Sequence, residues 1–314
     1  PKGVMISHRS MSNLYAMVKE LIEPYDGRFL CSTQTVFDCF VVETLVAIAI
    51  GRTVVFADSE EMMLPWRLAE LIEEHNAGII EMTPSRLNMC LGNERFQKLA
   101  KHIKIVLLGG EVVSDTLLNK FSEHSDGILM NMYGPTEATV FTTMEPLEKG
   151  KHITIGRPLQ NTRTYVLDEN MNPVIPTACG ELYIAGECLS SGYIGREDLT
   201  NELFVDDIYF AGEKMYRSGD LVRLRVDGRY DYIGRKDLQV KLNGQRVELN
   251  EITAAIESVS AGIQASTVAV KKKNGTMELC SFYVCNNEDV TNSVIQDGIK
   301  KILPNYMIPS AIVR

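Results

Sequence analysis

The sequence is poor in the residues that carry disulfide, metal or histidine chemistry. Its seven cysteines (Cys31, Cys39, Cys90, Cys179, Cys188, Cys280 and Cys285) are odd in number, scattered, and free of any CxxC pair or Cys/His cluster at zinc spacing. Reduced thiols of a cytoplasmic protein are therefore expected. The five histidines lie far apart in no recognisable triad sequence, which argues against histidine catalysis. Long hydrophobic runs are missing as well: the longest, residues 41–50, is too short to cross a bilayer and is interrupted by Glu43. No membrane span and no signal peptide are expected, and Pro1-Lys2-Gly3, without an initiator Met, reads as a cut end. Positive charge is scarce, with a net charge of −9 and no basic face, so nucleic acid is excluded as the main partner. The one basic run, residues 271–273, precedes Asn274-Gly275 and reads as a solvated hairpin tip. What remains is 45% apolar and 23% charged, the composition of a chain with a packed core.

Residues 42–132 alternate between helical and strand patterns. Leu64, Leu68, Leu71 and Ile72 have helical spacing; Ala77-Gly78 closes that helix and Ile79-Ile80 begins an apolar run. Pro84 opens a helix through Leu91, residues 103–108 read as a buried strand ending at Gly109-Gly110, and Ser114-Asp115 caps a further helix. Residues 128–132 read as the next strand. Such alternation predicts an α/β fold, a parallel sheet core covered by helices over residues 1–150. Residues 151–236 alternate at period two around the turn at Asp227-Gly228 and predict a β-rich subdomain. Residues 237–314 predict a small α+β unit: a helix at about 250–259, a hairpin of 267–271 with 277–284, and a helix at 291–302.

The sharpest local signal is NMYGPTE at residues 131–137, directly after a predicted parallel strand, where open α/β sheets bind ligands. It offers an amide, an aromatic face, a Gly-Pro turn, a hydroxyl and a carboxylate. Those groups suit a purine ring, a phosphate and a magnesium ion. In order along the chain stand PKG at Pro1, FDCF at Phe37, NMYGPTE at Asn131, GELYIAGECLSSGY at Gly180, YRSGDL at Tyr216, GRKDLQVKLNGQRVELNEI at Gly234 and LPNYMIP at Leu303. This series resembles the core motifs of the adenylation domains of nonribosomal peptide synthetases, in the adenylate-forming (AMP-binding) superfamily. The resemblance spans essentially the whole chain.

The resemblance implies an enzyme, an AMP-forming ligase that activates an amino acid with ATP and Mg2+ and passes the aminoacyl group to the phosphopantetheine thiol of a peptidyl carrier protein. By similarity, Asn131, Met132, Tyr133 and Gly134 line the adenine side, Thr136 meets the α-phosphate and Glu137 the metal. Gly109, Gly110 and Glu111 resemble the segment along the adenine slot, and Asp220 would accept both ribose hydroxyls. Tyr232 and Arg235 resemble residues on the ribose and phosphate side. Asp237 matches a hinge, with residues 237–314 as a mobile C-terminal lid that brings Lys241 and Gly244 to the site in the thioester-forming state. Lys2 ends the family's phosphate loop. Most of that loop, and the lysine of a later NGK-like motif, fall outside the sequence, so the fragment is expected to bind adenylate weakly and turn over poorly. The resemblance also admits a small MbtH-like helper protein as a further partner.

Asp38 in FDCF matches the position that pairs with a substrate α-ammonium, which acyl substrates lack. Cys39, Val42, Glu81, Leu107, Gly109, Met132 and Val140 match the side-chain wall. All are small or apolar except Glu81, whose charge asks for a cation and so for an ornithine- or lysine-like substrate. The alternative for Glu81 is exposure to water or pairing with a neighbouring Arg or Lys. Alternatives for the whole are a stand-alone D-alanine to carrier-protein ligase or acyl-CoA ligase of the same superfamily, and a non-catalytic nucleotide-binding fragment.

Overall fold

The computed structural model describes residues 2–236, 239–242, 245–271 and 277–314. Two compact units emerge, Pro1–Gly234 and Arg235–Arg314. A seven-stranded sheet centres the first. Strands β1 (Phe29–Cys31), β2 (Val54–Phe56), β3 (Ile79–Met82), β4 (Ile105–Leu108) and β5 (Ile128–Tyr133) run parallel in the order β2-β1-β3-β4-β5. Strands β6 (Thr143–Leu147) and β7 (Arg157–Pro158) close one edge antiparallel, where the sequence predicts only parallel pairing. The reason is length: residues 134–142 are fewer than the dozen or so that a parallel crossover needs.

The near-continuous apolar strands are explained by burial on both faces. Ile79, Ile105, Leu107, Met130 and Met132 pack with Leu14, Val18 and Ile22 of the helix His8–Ile22. Their neighbours Ile80, Met82, Val106, Leu108 and Leu129 point the other way, onto Leu68 and Ile72 of Pro65–His75 and onto Leu117, Leu118 and Phe121 of Asp115–Ser122. Each such side chain contributes roughly 1.5–3 kcal/mol. Ser114 caps its helix as expected, accepting from the Leu117 amide at 3.2 Å. The helix His8–Ile22 goes beyond the sequence expectations, although Ser7 and the spacing of Leu14, Val18 and Ile22 carry its signal.

Strands β8 (Thr162–Leu167), β9 (Cys179–Gly186), β10 (Phe204–Asp206), β11 (Lys214–Leu224) and β12 (Tyr230–Arg235) form the β-rich part, in the order β10-β11-β9-β8 with β12 on β11. The β9/β11 register shifts between Arg217 and Leu221.

In the second unit a hairpin of β13 (Gln239–Leu242) and β14 (Gln245–Glu248) leads into the helix Leu249–Glu257. Strands β15 (Gln264–Lys271) and β16 (Met277–Val284) pair antiparallel, and β17 (Ala311–Val313) joins β16 in parallel after the helix Asn292–Ile299. Val247, Ile252, Ile256, Leu279, Ile295 and Ile299 form its core. Asp237, Gly244 and the Asn274-Gly275 turn lie outside the described residues, as does the side chain of Lys241.

Candidate functional site

The chain leaving β5 turns sharply. Gly134 has no room for a Cβ, which would collide with the Val140 carbonyl oxygen and the Phe141 backbone. Thr139 and Val140 hold left-handed backbone at φ 55° and 69°. Such strain costs on the order of 1–3 kcal/mol per residue and persists where the surroundings over-determine it. Here the Thr139 hydroxyl donates to the Cys188 carbonyl at 2.6 Å and the Thr142 amide to the Tyr133 carbonyl at 2.7 Å.

Three residues separated along the sequence meet beside this turn. Asp220, only 3% exposed, accepts from the Tyr133 hydroxyl at 2.6 Å and from the Tyr232 hydroxyl at 3.2 Å, and the two rings stand 6.4 Å apart. The register shift in β11 aims Asp220 inward: Gly219 takes φ 74°, the Ser218 hydroxyl donates to the Leu182 carbonyl, and the Asp220 amide donates to Ser218 Oγ at 3.0 Å. Each carboxylate oxygen accepts more than one donor, so the tyrosines do not by themselves exhaust what Asp220 can bind. Asn131 spends an amide hydrogen on the Thr154 carbonyl at 2.7 Å. Glu111 accepts from the amide and hydroxyl of Ser85. Arg235 opens the second unit.

Glu137 is 1% exposed and accepts from the Tyr193 hydroxyl at 2.6 Å, while the Lys2 ammonium stands 6.0 Å from the centre of the Tyr193 ring. Among the described residues no three His, Cys, Asp or Glu side chains form a metal cage. One carboxylate fits magnesium, which is commonly held through one or two carboxylates with substrate phosphates completing the shell.

The side-chain positions converge on the sheet face that carries Val42, Leu107, Met132 and Val140, with Cys39 packed against them. Glu81 lies beside Leu107 in register and projects to that same face. It is 2% exposed, and among the described residues no N–H or O–H donor and no Arg or Lys meets its oxygens, the neighbouring hydrogen-bonding group being the Cys39 thiol, so both bland expectations, water and an Arg or Lys partner, are corrected. Burial first, then the charges of Glu43 and Asp38, hold its carboxyl well above the usual range, with the Cys39 thiol opposing. Asp38 caps the short helix Cys39–Val41, accepting from the Cys39 amide at 2.9 Å.

The sequence reading missed Glu43. It sits on a π-helical turn, Val42–Val46, is 0% exposed, and accepts from the amides of Ser32 and Thr33 at 3.1 and 2.9 Å and from the Thr33 hydroxyl at 3.0 Å. Burial lifts it to about 7 against the pull of those donors. A lone acid in the apolar run 41–50 was the available signal, and single π-turns are frequent at functional sites.

A family model described as AMP-binding enzyme matches residues 1–194. The chain belongs to the AMP-binding enzyme family. This AMP-binding protein is 37% identical over 317 residues to a dimodular nonribosomal peptide synthase of Bacillus subtilis (strain 168), with all of the chain aligned to 13% of that relative. It superposes on a four-domain nonribosomal peptide synthetase solved with AMP and glycine, at a TM-score of 0.71 and 31% identity, covering 100% of this chain and 24% of the other. It also superposes on a nonribosomal peptide synthetase protein containing adenylation and PCP domains, at a TM-score of 0.81 and 28% identity, covering 92% and 50%. The AMP-binding fold is thus shared with adenylation-domain proteins, and the chain spans a small part of the curated relative's length. Among the described residues no helix is long and apolar enough to cross a membrane.

Proposed function

We propose that this chain is the adenylating part of a nonribosomal peptide synthetase. It joins an amino acid carboxylate to AMP from ATP with release of pyrophosphate, then passes the aminoacyl group to the phosphopantetheine thiol of a peptidyl carrier protein. The observation that carries the reading is the buried Asp220 clasped by Tyr133 and Tyr232 at the end of β5. A fixed carboxylate beside two aromatic faces suits a ribose and its base. Thr136 and Glu137 follow within one turn, and we assign Thr136 to the α-phosphate and Glu137 to magnesium, which would neutralise phosphate charge. Asp38 takes the α-ammonium of the substrate.

The side chain we assign is basic, of ornithine or lysine type. Its support is Glu81, whose buried oxygens meet no N–H or O–H donor and no cation among the described residues, in an otherwise apolar wall. A substrate cation would supply the missing charge and hydrogen bonds. Exchange of labelled pyrophosphate into ATP, run with the full-length natural protein across the amino acids and simple carboxylic acids, tests both levels. Ornithine or lysine should give the strongest exchange. Exchange driven by acids without an α-ammonium, followed by transfer to coenzyme A, would refute the amino-acid reading. Strong exchange with leucine while ornithine and lysine stay silent would refute only the side-chain assignment.

A further inference from the structure

The segment GELYIAGECLSSGY has no task in the chemistry described so far, yet its last residues bond to both the turn that carries Glu137 and the segment that follows Lys2. The Ser190 amide donates to the Glu137 carbonyl at 2.9 Å, and the Cys188 carbonyl accepts from the Thr139 hydroxyl on the other side of the strained turn. Val4 and Tyr193 form an antiparallel bridge, extended by Met5 N to the Gly192 carbonyl at 2.9 Å, Ser191 N to the Met5 carbonyl at 2.8 Å and Ile194 N to the Gly3 carbonyl at 2.8 Å. The Leu189 carbonyl accepts from the Ser10 hydroxyl at 2.8 Å, in the first turn of the helix His8–Ile22. One loop thereby holds both residues 3–5, next to Lys2, and the turn at residues 137–139.

At its centre is Tyr193, 2% exposed, with Phe204 edge-on to its ring at 5.9 Å and the Thr200 hydroxyl accepting from its amide at 3.0 Å. The ring is thus packed in the core, and its hydroxyl, which also neighbours Tyr216, donates to Glu137 Oε1 at 2.6 Å. We propose that the loop 188–194 is the positioning element of the metal-phosphate site, with the Tyr193 hydroxyl orienting the Glu137 carboxylate and the Tyr193 ring and backbone setting the Lys2 segment against it. The inference rests on Glu137 as the magnesium ligand. A carboxylate free to rotate would have to be ordered when the metal arrives. One already held by a donor on Oε1 has spent that entropy on folding.

The test uses the full-length natural protein, Tyr193→Phe and Glu137→Ala. Tyr193→Phe keeps the ring against Phe204 and removes one oxygen. Manganese retention in the presence of ATP is read by electron paramagnetic resonance, and AMP binding without metal by calorimetry. Tyr193→Phe should weaken manganese-dependent ATP binding about tenfold and leave metal-free AMP binding within twofold. A merely structural tyrosine would weaken both alike, which would overturn the proposal. So would manganese retention within twofold of wild type in Tyr193→Phe while Glu137→Ala loses it. If Glu137→Ala also retained manganese, the metal assignment itself would fall and the inference with it. In metal-free protein, an unfolding cycle of the two substitutions should show coupling; additivity would remove the contact.

Discussion

Replacing Glu81 with methionine should make the protein more stable and less able to select its substrate. Methionine fills a similar volume among Val42, Leu107, Met132 and Val140 and brings no polar atom. Glu81 is 2% exposed, with no N–H or O–H donor to either oxygen among the described residues and only the weak donor of the Cys39 thiol beside it, and an unsatisfied buried polar group costs about 1–3 kcal/mol. Methionine should return about that much. The sign of the pH dependence follows from the raised carboxyl. Because the folded protein holds the proton more tightly than the unfolded chain, wild-type stability is greatest below the ordinary carboxylate range and falls as pH rises toward the folded value. The gain from Glu81→Met is therefore smallest in acid and grows toward neutrality. Urea unfolding at several pH values reads it, with an unchanged slope required for comparison. Pyrophosphate exchange should show ornithine or lysine losing at least tenfold. Destabilisation by more than about 1 kcal/mol at neutral pH would mean that Glu81 has a partner in the folded protein, and the reasoning would fail.

Asp220→Ala should weaken ATP binding by roughly 1.5–3 kcal/mol, the loss of hydrogen bonds to a charged group; unchanged calorimetry in a folded variant would remove the ribose assignment. Glu43, lifted to about 7 from 4.5, should subtract roughly 3 kcal/mol of stability as pH rises through that window, because the folded state holds the proton longer. Glu43→Gln keeps an acceptor for Ser32 and Thr33 and should flatten that part of the stability profile; an identical profile in the variant would contradict the burial argument. Asp237→Pro should spare adenylation and block transfer to the carrier, since proline fixes φ near −65° at the expected hinge; equal loss of both half-reactions in a folded protein would count against the hinge.

The central sheet was legible because burial on both faces leaves β3, β4 and β5 almost wholly apolar between well-marked helices such as Pro65–His75. The antiparallel edge was not, since β6 and β7 are specified by a short connection rather than by a pattern. Asp220 could be named from YRSGDL, but its two tyrosine partners could not be paired with it. Tyr133 is 87 residues away in sequence, and the bulge that turns Asp220 inward depends on cross-strand register. Tyr193 stood inside a quoted motif without a role, because its effect runs through Glu137. Glu43 was hidden by its surroundings: in a run of apolar residues an acid reads as an interruption, and only the π-turn directs it to Ser32 and Thr33.

The most direct measurement is the identity of the adenylate formed in a single turnover. The full-length natural protein, given Mg-ATP and an equimolar mixture of amino acids with pyrophosphatase to draw the reaction forward, should hold one aminoacyl-AMP whose mass is that of the ornithyl or lysyl species. Its yield should collapse in Glu81→Met. A neutral aliphatic aminoacyl-AMP would contradict the side-chain account, and no adenylate from any amino acid, with ATP bound, would contradict the function itself.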